Sequence, residues 1–119
     1  MNKNFQYMLF FGSLRKNSKR GYNFDRFGKG SQKYIKDIEL SGYEMYSLTY
    51  YPAICKGNGK VKFELHKVDN HAAEMINGME LGAGYTPVKI NVDNIEATFY
   101  MMDKEKLKGR EKVESGDWN

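Results

Sequence analysis

The sequence predicts an α+β domain, strand-rich with one clear helix, on a mixed or mostly antiparallel sheet. Three observations carry that reading. Apolar residues alternate with polar ones along most of the 119 residues, the pattern of half-buried strands. A single stretch after Asp69-Asn70 changes to helical spacing. Gly- and Asn-containing turns punctuate the rest.

Taken in order, Tyr7 to Phe11 is a short apolar run ending at Gly12-Ser13, which reads as a buried strand leading into a tight loop. Residues 16 to 33 have no clean period. Tyr34–Leu40 alternates, Ser41-Gly42 reads as a turn, and Tyr43–Leu48 then makes an antiparallel pair with it. Pro52–Cys55 is short and apolar, closed by a turn over Lys56–Lys60. In the next strand Val61, Phe63 and Leu65 alternate with Lys62, Glu64 and His66 as a half-buried strand, with His66 on the polar face as a satisfied or exposed histidine rather than a ligand. Asp69 and Asn70 are good N-caps. Ala72, Ile76 and Met79, with Met75 beside them, form the apolar face of a helix of two to three turns that Gly82-Ala-Gly84 ends. Val88–Val92 and Ile95–Met101 pair through a two-residue hairpin at Asp93-Asn94. The tail from Asp103 is charged and helix-permissive.

The bulk composition bounds the function. A chain of 119 residues with 40% hydrophobic and 14% aromatic content makes one globular domain, residues 1–119, rather than two. The run at 7–11 is too short to span a membrane or to act as a signal peptide. One cysteine, Cys55, excludes an internal disulfide framework and suits a reducing, cytoplasmic setting. The net charge of +4 is concentrated between Arg15 and Lys36, with Tyr22, Phe24 and Phe27 among the basic residues. That composition fits a solvated, mobile loop better than a nucleic-acid surface, whose test is salt-dependent affinity. There is no His-x-x-x-His spacing or cysteine cluster for a metal, and no phosphate or dinucleotide fingerprint for a cofactor. Whether the chain pairs with itself stays open.

Glu80 is the residue that does not fit a purely structural helix. Four residues after Ile76, it falls close to the apolar face, and it lies in the last turn, where the macrodipole disfavours a carboxylate. Burial and the helix end would both raise its pKa. A frayed end would instead leave it in water. At the other candidate position, the Gly12-Ser13 loop offers backbone N–H groups that can hold an anion or an oxyanion, or is a plain turn.

The ordered set of motifs resembles the γ-glutamylcyclotransferase-like (AIG2-like) family. Phe11-Gly-Ser-Leu-Arg15 matches its Tyr-Gly-Ser/Thr-Leu-Arg loop. Gly42-Tyr-Glu-Met-Tyr46, Tyr51-Pro-Ala-Ile54, Met79-Glu80 before Gly84-Tyr85, Ala97-Thr-Phe-Tyr100 and Ser115-Gly-Asp-Trp118 follow in the family's order. The resemblance implies a small mixed β-barrel with flanking helices and a reaction that needs no cofactor. It also implies release of an amine or amino acid from a γ-glutamyl compound with formation of 5-oxoproline. Carried onto this sequence, Glu80 is the acid/base, and Phe11, Gly12, Ser13, Leu14, Arg15 and Tyr85 are substrate-binding. Two positions depart from the family, Phe11 for its tyrosine and Pro87 where an arginine is common. They motivate an alternative, a non-enzymatic binder of a small anionic metabolite on the same fold.

Overall fold

The computed structural model describes residues 4–119. Six strands form one mixed sheet, curled into a half-barrel: β1 (Phe5–Phe10), β2 (Gln32–Ser47), β3 (Pro52–Asp69), β4 (Thr86–Val92), β5 (Ile95–Met101) and β6 (Glu111–Lys112). One helix, α1 (Asn70–Gly82), packs against the sheet, and a 3₁₀ turn covers Lys104–Leu107. The strand order is β4-β5-β1-β3-β2-β6. Only the β1–β5 contact, at Met8 and Thr98, is parallel.

The continuous apolar run of β1 follows from burial on both faces. Met8 and Phe10 join Val68, Ala72, Ala73 and Ile76 in the layer beneath α1. Leu9 and Phe11 join Phe63, Leu65, Ala97 and Phe99 inside the curl. The curl brings β2 near the β4–β5 hairpin tip, where Lys36 pairs with Asp93. Across the interior, Tyr43 meets Phe99 edge-on at 5.5 Å between ring centres. The hairpin itself is as expected, with Asp93 and Asn94 both at positive φ, the geometry of a tight primed turn.

Two predicted turns are not turns. Tyr34–Leu40 and Tyr43–Leu48 do not pair with each other; they belong to one long strand, β2, whose partner throughout is β3. Pro52–Cys55 and Val61–Leu65 are likewise parts of one strand. Gly42 and Gly57-Asn58-Gly59 sit opposite each other at a bulge, between the pairs Ser41–Lys60 and Tyr43–Lys56. The glycine at 57 is required because Glu44 folds over the bulge. A Cβ there would lie 2.2 Å from Glu44 Cγ, and Asn58 N–H donates to Glu44 Oε2 at 3.3 Å. Bulges bend a strand without ending it.

Helix α1 starts as predicted, with the Asp69 carboxylate accepting from Ala72 N–H at 2.8 Å. Its buried face is Ala72, Ala73 and Ile76, whereas Met75 is exposed. The second correction concerns β3. Phe63 and Leu65 face the interior as predicted, but Glu64 and His66 are fully buried on the other face. The loop from Arg15 to Gln32 covers them, and Phe10, Phe24 and Tyr34 pack edge-on around the His66 ring. The basic segment is therefore not simply a solvated loop. Its Phe24 and Phe27 rings are half-buried, and Arg15, Ser31 and Gln32 are buried. No helix among the described residues is long and apolar enough to cross a membrane.

Candidate active site

A cavity of about 200 Å³ opens where β1 ends, walled by the 11–14 loop, the start of β3, the last turn of α1 and the residues after it. Among the described residues Glu80 is the only charged side chain in its lining; the remainder is dominated by Phe10, Phe11, Pro52, Met79, Tyr85 and Tyr100. The helix does not fray before Glu80. Ala83 and Tyr85 N–H both donate to the Glu80 carbonyl, at 3.1 and 3.0 Å, so the last turn is closed and the side chain is held against the cavity. Its carboxyl has no hydrogen-bond or ion-pair partner among the described residues. Desolvation raises its pKa from 4.5 to about 7. The negative end of the helix acts in the same direction.

The two tyrosines beside it are spoken for. Tyr85 O–H donates to the Pro52 carbonyl at 2.8 Å, and Tyr100 O–H donates to Asn77 Oδ1 at 2.8 Å. Burial, with the Glu80 charge adding to it, raises both phenols, Tyr100 to about 12. They are walls and spacers at neutral pH, not acids.

The loop after β1, which also lines the cavity, turns through an Arg15 N–H to Gly12 carbonyl bond of 3.2 Å. Gly12, Ser13 and Leu14 N–H donate to no protein group among the described residues. A Cβ on Gly12 would come within 3.1 Å of Pro52 Cγ, so glycine here lets the loop lie directly on the proline ring. Ser13 is fixed from both ends by Asn23, whose N–H donates to its carbonyl at 2.9 Å and whose Nδ2 donates to its Oγ at 2.8 Å.

Of the residues the sequence singled out, the structure brings Glu80, Phe11, Gly12, Ser13, Leu14 and Tyr85 to one cavity. Arg15 is not among them. It is buried, with Nη1 on Asp117 Oδ1 at 2.7 Å and Nε 3.5 Å from Glu64 Oε2. Phe11 packs edge-on against Phe63 at 5.7 Å, so its ring serves the interior as well as the cavity. Pro87 lies on the edge strand β4, outside the lining, where a proline costs the sheet nothing. Asn23, Tyr51 and Tyr100 complete the wall and were not singled out as site residues. Asn23 lay within an aperiodic segment that gave no sign of folding back to the loop. Among the described residues no group of three or more His, Cys, Asp or Glu side chains could hold a metal.

A lone buried carboxyl and a strand-end loop that line one cavity on a curled, six-stranded mixed sheet define the fold and site of a small α+β domain. The chain belongs to the family described as gamma-glutamyl cyclotransferase, AIG2-like, whose pattern matches residues 8–119. It is 32% identical over 109 residues to protein PH0828 of Pyrococcus horikoshii, covering 92% of this chain and 87% of the relative. Over 85 residues it is 30% identical to the gamma-glutamylcyclotransferase family protein YtfP of Escherichia coli K12, covering 71% and 74% respectively. The crystal structure of PH0828 superposes with a TM-score of 0.75 at 28% identity, covering 95% of this chain and 89% of the other. The solution structure of E. coli YtfP gives 0.76 at 25% identity, covering 95% and 96%.

Proposed function

We propose that this protein is a γ-glutamyl cyclotransferase that converts a γ-glutamyl compound into 5-oxoproline and a free amine or amino acid. The observation that carries the reading is the Glu80 carboxyl, unpaired among the described residues and shifted to about 7, in a cavity that the Gly12–Leu14 loop also lines.

The chemistry asks little of the protein. The substrate's own α-amine attacks its γ-carbonyl carbon, so a ring C–N bond forms and the γ-amide C–N bond breaks. Holding the chain folded for that attack supplies on the order of 7–11 kcal/mol of the barrier. Glu80, ionised, takes a proton from the attacking amine and returns it to the departing nitrogen. A pKa near 7 suits both transfers. The amides of Gly12, Ser13 and Leu14 receive the developing oxyanion or the substrate carboxylate. Among the described residues the lining has no cationic side chain, so its donors are backbone N–H groups and the hydroxyls of Ser13 and Tyr51. Tyr85 and Tyr100 exclude water and keep the carboxyl desolvated.

The test is 5-oxoproline release, followed by mass spectrometry, from a panel of γ-glutamyl amino acids and amines. Wild type is expected to release it and Glu80→Gln to lose at least a thousandfold. A protein that binds a panel member equally well in both forms, with no release from either, is a binder instead.

A further inference from the structure

The loop that lines the cavity is gripped by a chain of buried polar groups that the cavity does not contain. Glu64 and His66 are fully buried and Gln32 is 3% exposed. Glu64 accepts Lys16 N–H at 2.6 Å on Oε1 and Asn17 N–H at 2.9 Å on Oε2. His66 Nε2 lies 2.8 Å from Glu64 Oε1, and His66 Nδ1 lies 3.2 Å from Gln32 Nε2. The same Gln32 Nε2 donates to the Leu14 carbonyl at 2.9 Å.

Backbone groups settle the polarity of this chain. Asp25 N–H can only donate, and it donates to Gln32 Oε1 at 3.0 Å. The Leu14 carbonyl can only accept, so the Gln32 NH₂ group must face Leu14 and His66. His66 Nδ1 is then an acceptor, and its Nε2 carries the proton donated to Glu64. Each bond fixes the direction of the next. Burying a carboxylate, an imidazole and an amide where apolar side chains could pack is costly unless the groups are fully satisfied. Here they are satisfied largely by the backbone of one loop.

We infer that Glu64, His66 and Gln32 are positioning residues: through His66 they lock the backbone of Leu14, Lys16 and Asn17, and thereby aim the Gly12–Leu14 amides into the cavity. The catalytic part of this inference rests on the cyclotransferase reading above. The mechanical part does not.

The test compares two substitutions that separate hydrogen bonding from packing. His66→Phe keeps a ring among Phe10, Phe24 and Tyr34 and cuts both bonds. His66→Gln loses the ring and keeps an N–H donor for Glu64. Amide hydrogen exchange at Lys16 and Asn17 is expected to rise ~10- to 100-fold in His66→Phe, the factor that a lost hydrogen bond to a charged group corresponds to. In His66→Gln it stays within a few-fold of wild type, and exchange in α1 is unchanged in both. The kcat for 5-oxoproline release follows the same order. A packing role gives the reverse order, with Phe tolerated and Gln damaging, and that result overturns the inference. If His66→Phe does not fold, Gln32→Met gives the same reading, since it frees the Leu14 carbonyl and His66 Nδ1; unchanged loop exchange there also overturns it. Absence of 5-oxoproline release from wild type would remove the proposed reaction and leave the exchange order to decide the grip on the loop.

Discussion

Tyr85 O–H reaches the Pro52 carbonyl across 2.8 Å, joining the segment that follows the glutamate-bearing helix to the strand whose proline supports the Gly12 loop. The two walls of the cavity are thus tied at one point. Tyr85→Phe keeps the ring and removes the tie, at a cost on the order of 1 kcal/mol for a buried bond. The effect on kcat/KM is expected to exceed the effect on stability, about tenfold or more, because the separation of Glu80 from the loop is no longer fixed. Denaturant melts and 5-oxoproline release on the same preparation check this. A loss confined to stability would show that the tie is only structural.

Gly12→Ala is expected to act through Pro52. The added methyl would sit 3.1 and 3.2 Å from Pro52 Cγ and Cδ, closer than carbon atoms pack. A proline ring cannot swing aside, so the loop must lift by a few tenths of an ångström. Overpacking of this kind costs about 1–3 kcal/mol, and activity is expected to fall about 10- to 100-fold. Chemical shifts of the Ser13 and Leu14 amides report the displacement directly; unmoved shifts would contradict it.

Arg15 is expected to answer as a structural residue. Arg15→Met keeps the buried stem and leaves Glu64 and Asp117 without their guanidinium. Breaking a buried pair from one side costs about 3–5 kcal/mol. The loss should persist in high salt, because a buried pair is little screened. Normal stability with a raised KM would return Arg15 to the substrate.

What the sequence disclosed depended on whether a signal was local. The β1 run, the Asp69 cap, the Asp93-Asn94 hairpin and the misfit of Glu80 are each written within a few residues, and each stands in the structure. The long strands β2 and β3 were not legible, because Gly42 and Gly57-Asn58-Gly59 carry the composition of turns. Only their juxtaposition, with Glu44 folded into the gap, makes them a bulge. Glu64 and His66 read as the polar face of a half-buried strand for a related reason. Period-2 alternation marks a polar face, and a loop arriving from residues 15–32 buried it. Arg15 was carried into the site by its place in a family motif, and the ion pair with Asp117, 102 residues away, has no local trace.

The titration of Glu80 should make stability and activity move in opposite directions over one pH window. Its folded-state pKa is about 7 against an ordinary 4.5. Between these values the native state holds a proton that the unfolded chain has released, so stability falls as pH rises from about 4.5 to about 7 and is level beyond. The shift corresponds to on the order of 3 kcal/mol. Other carboxylates act oppositely. Glu44, bonded by Asn58 N–H, lies below its usual range. So does Glu64, where bonds from His66, Lys16 and Asn17 outweigh burial. The clean quantity is therefore the difference between Glu80→Gln and wild type. That difference is expected near zero at pH 4, with the variant the more stable by about 3 kcal/mol at pH 8. The proposed mechanism needs the ionised form, so wild-type kcat/KM should climb through the same interval, with an apparent pKa near 7. A stability difference independent of pH would mean that the carboxyl is solvated in the folded protein, and the proposed base would lose its physical footing.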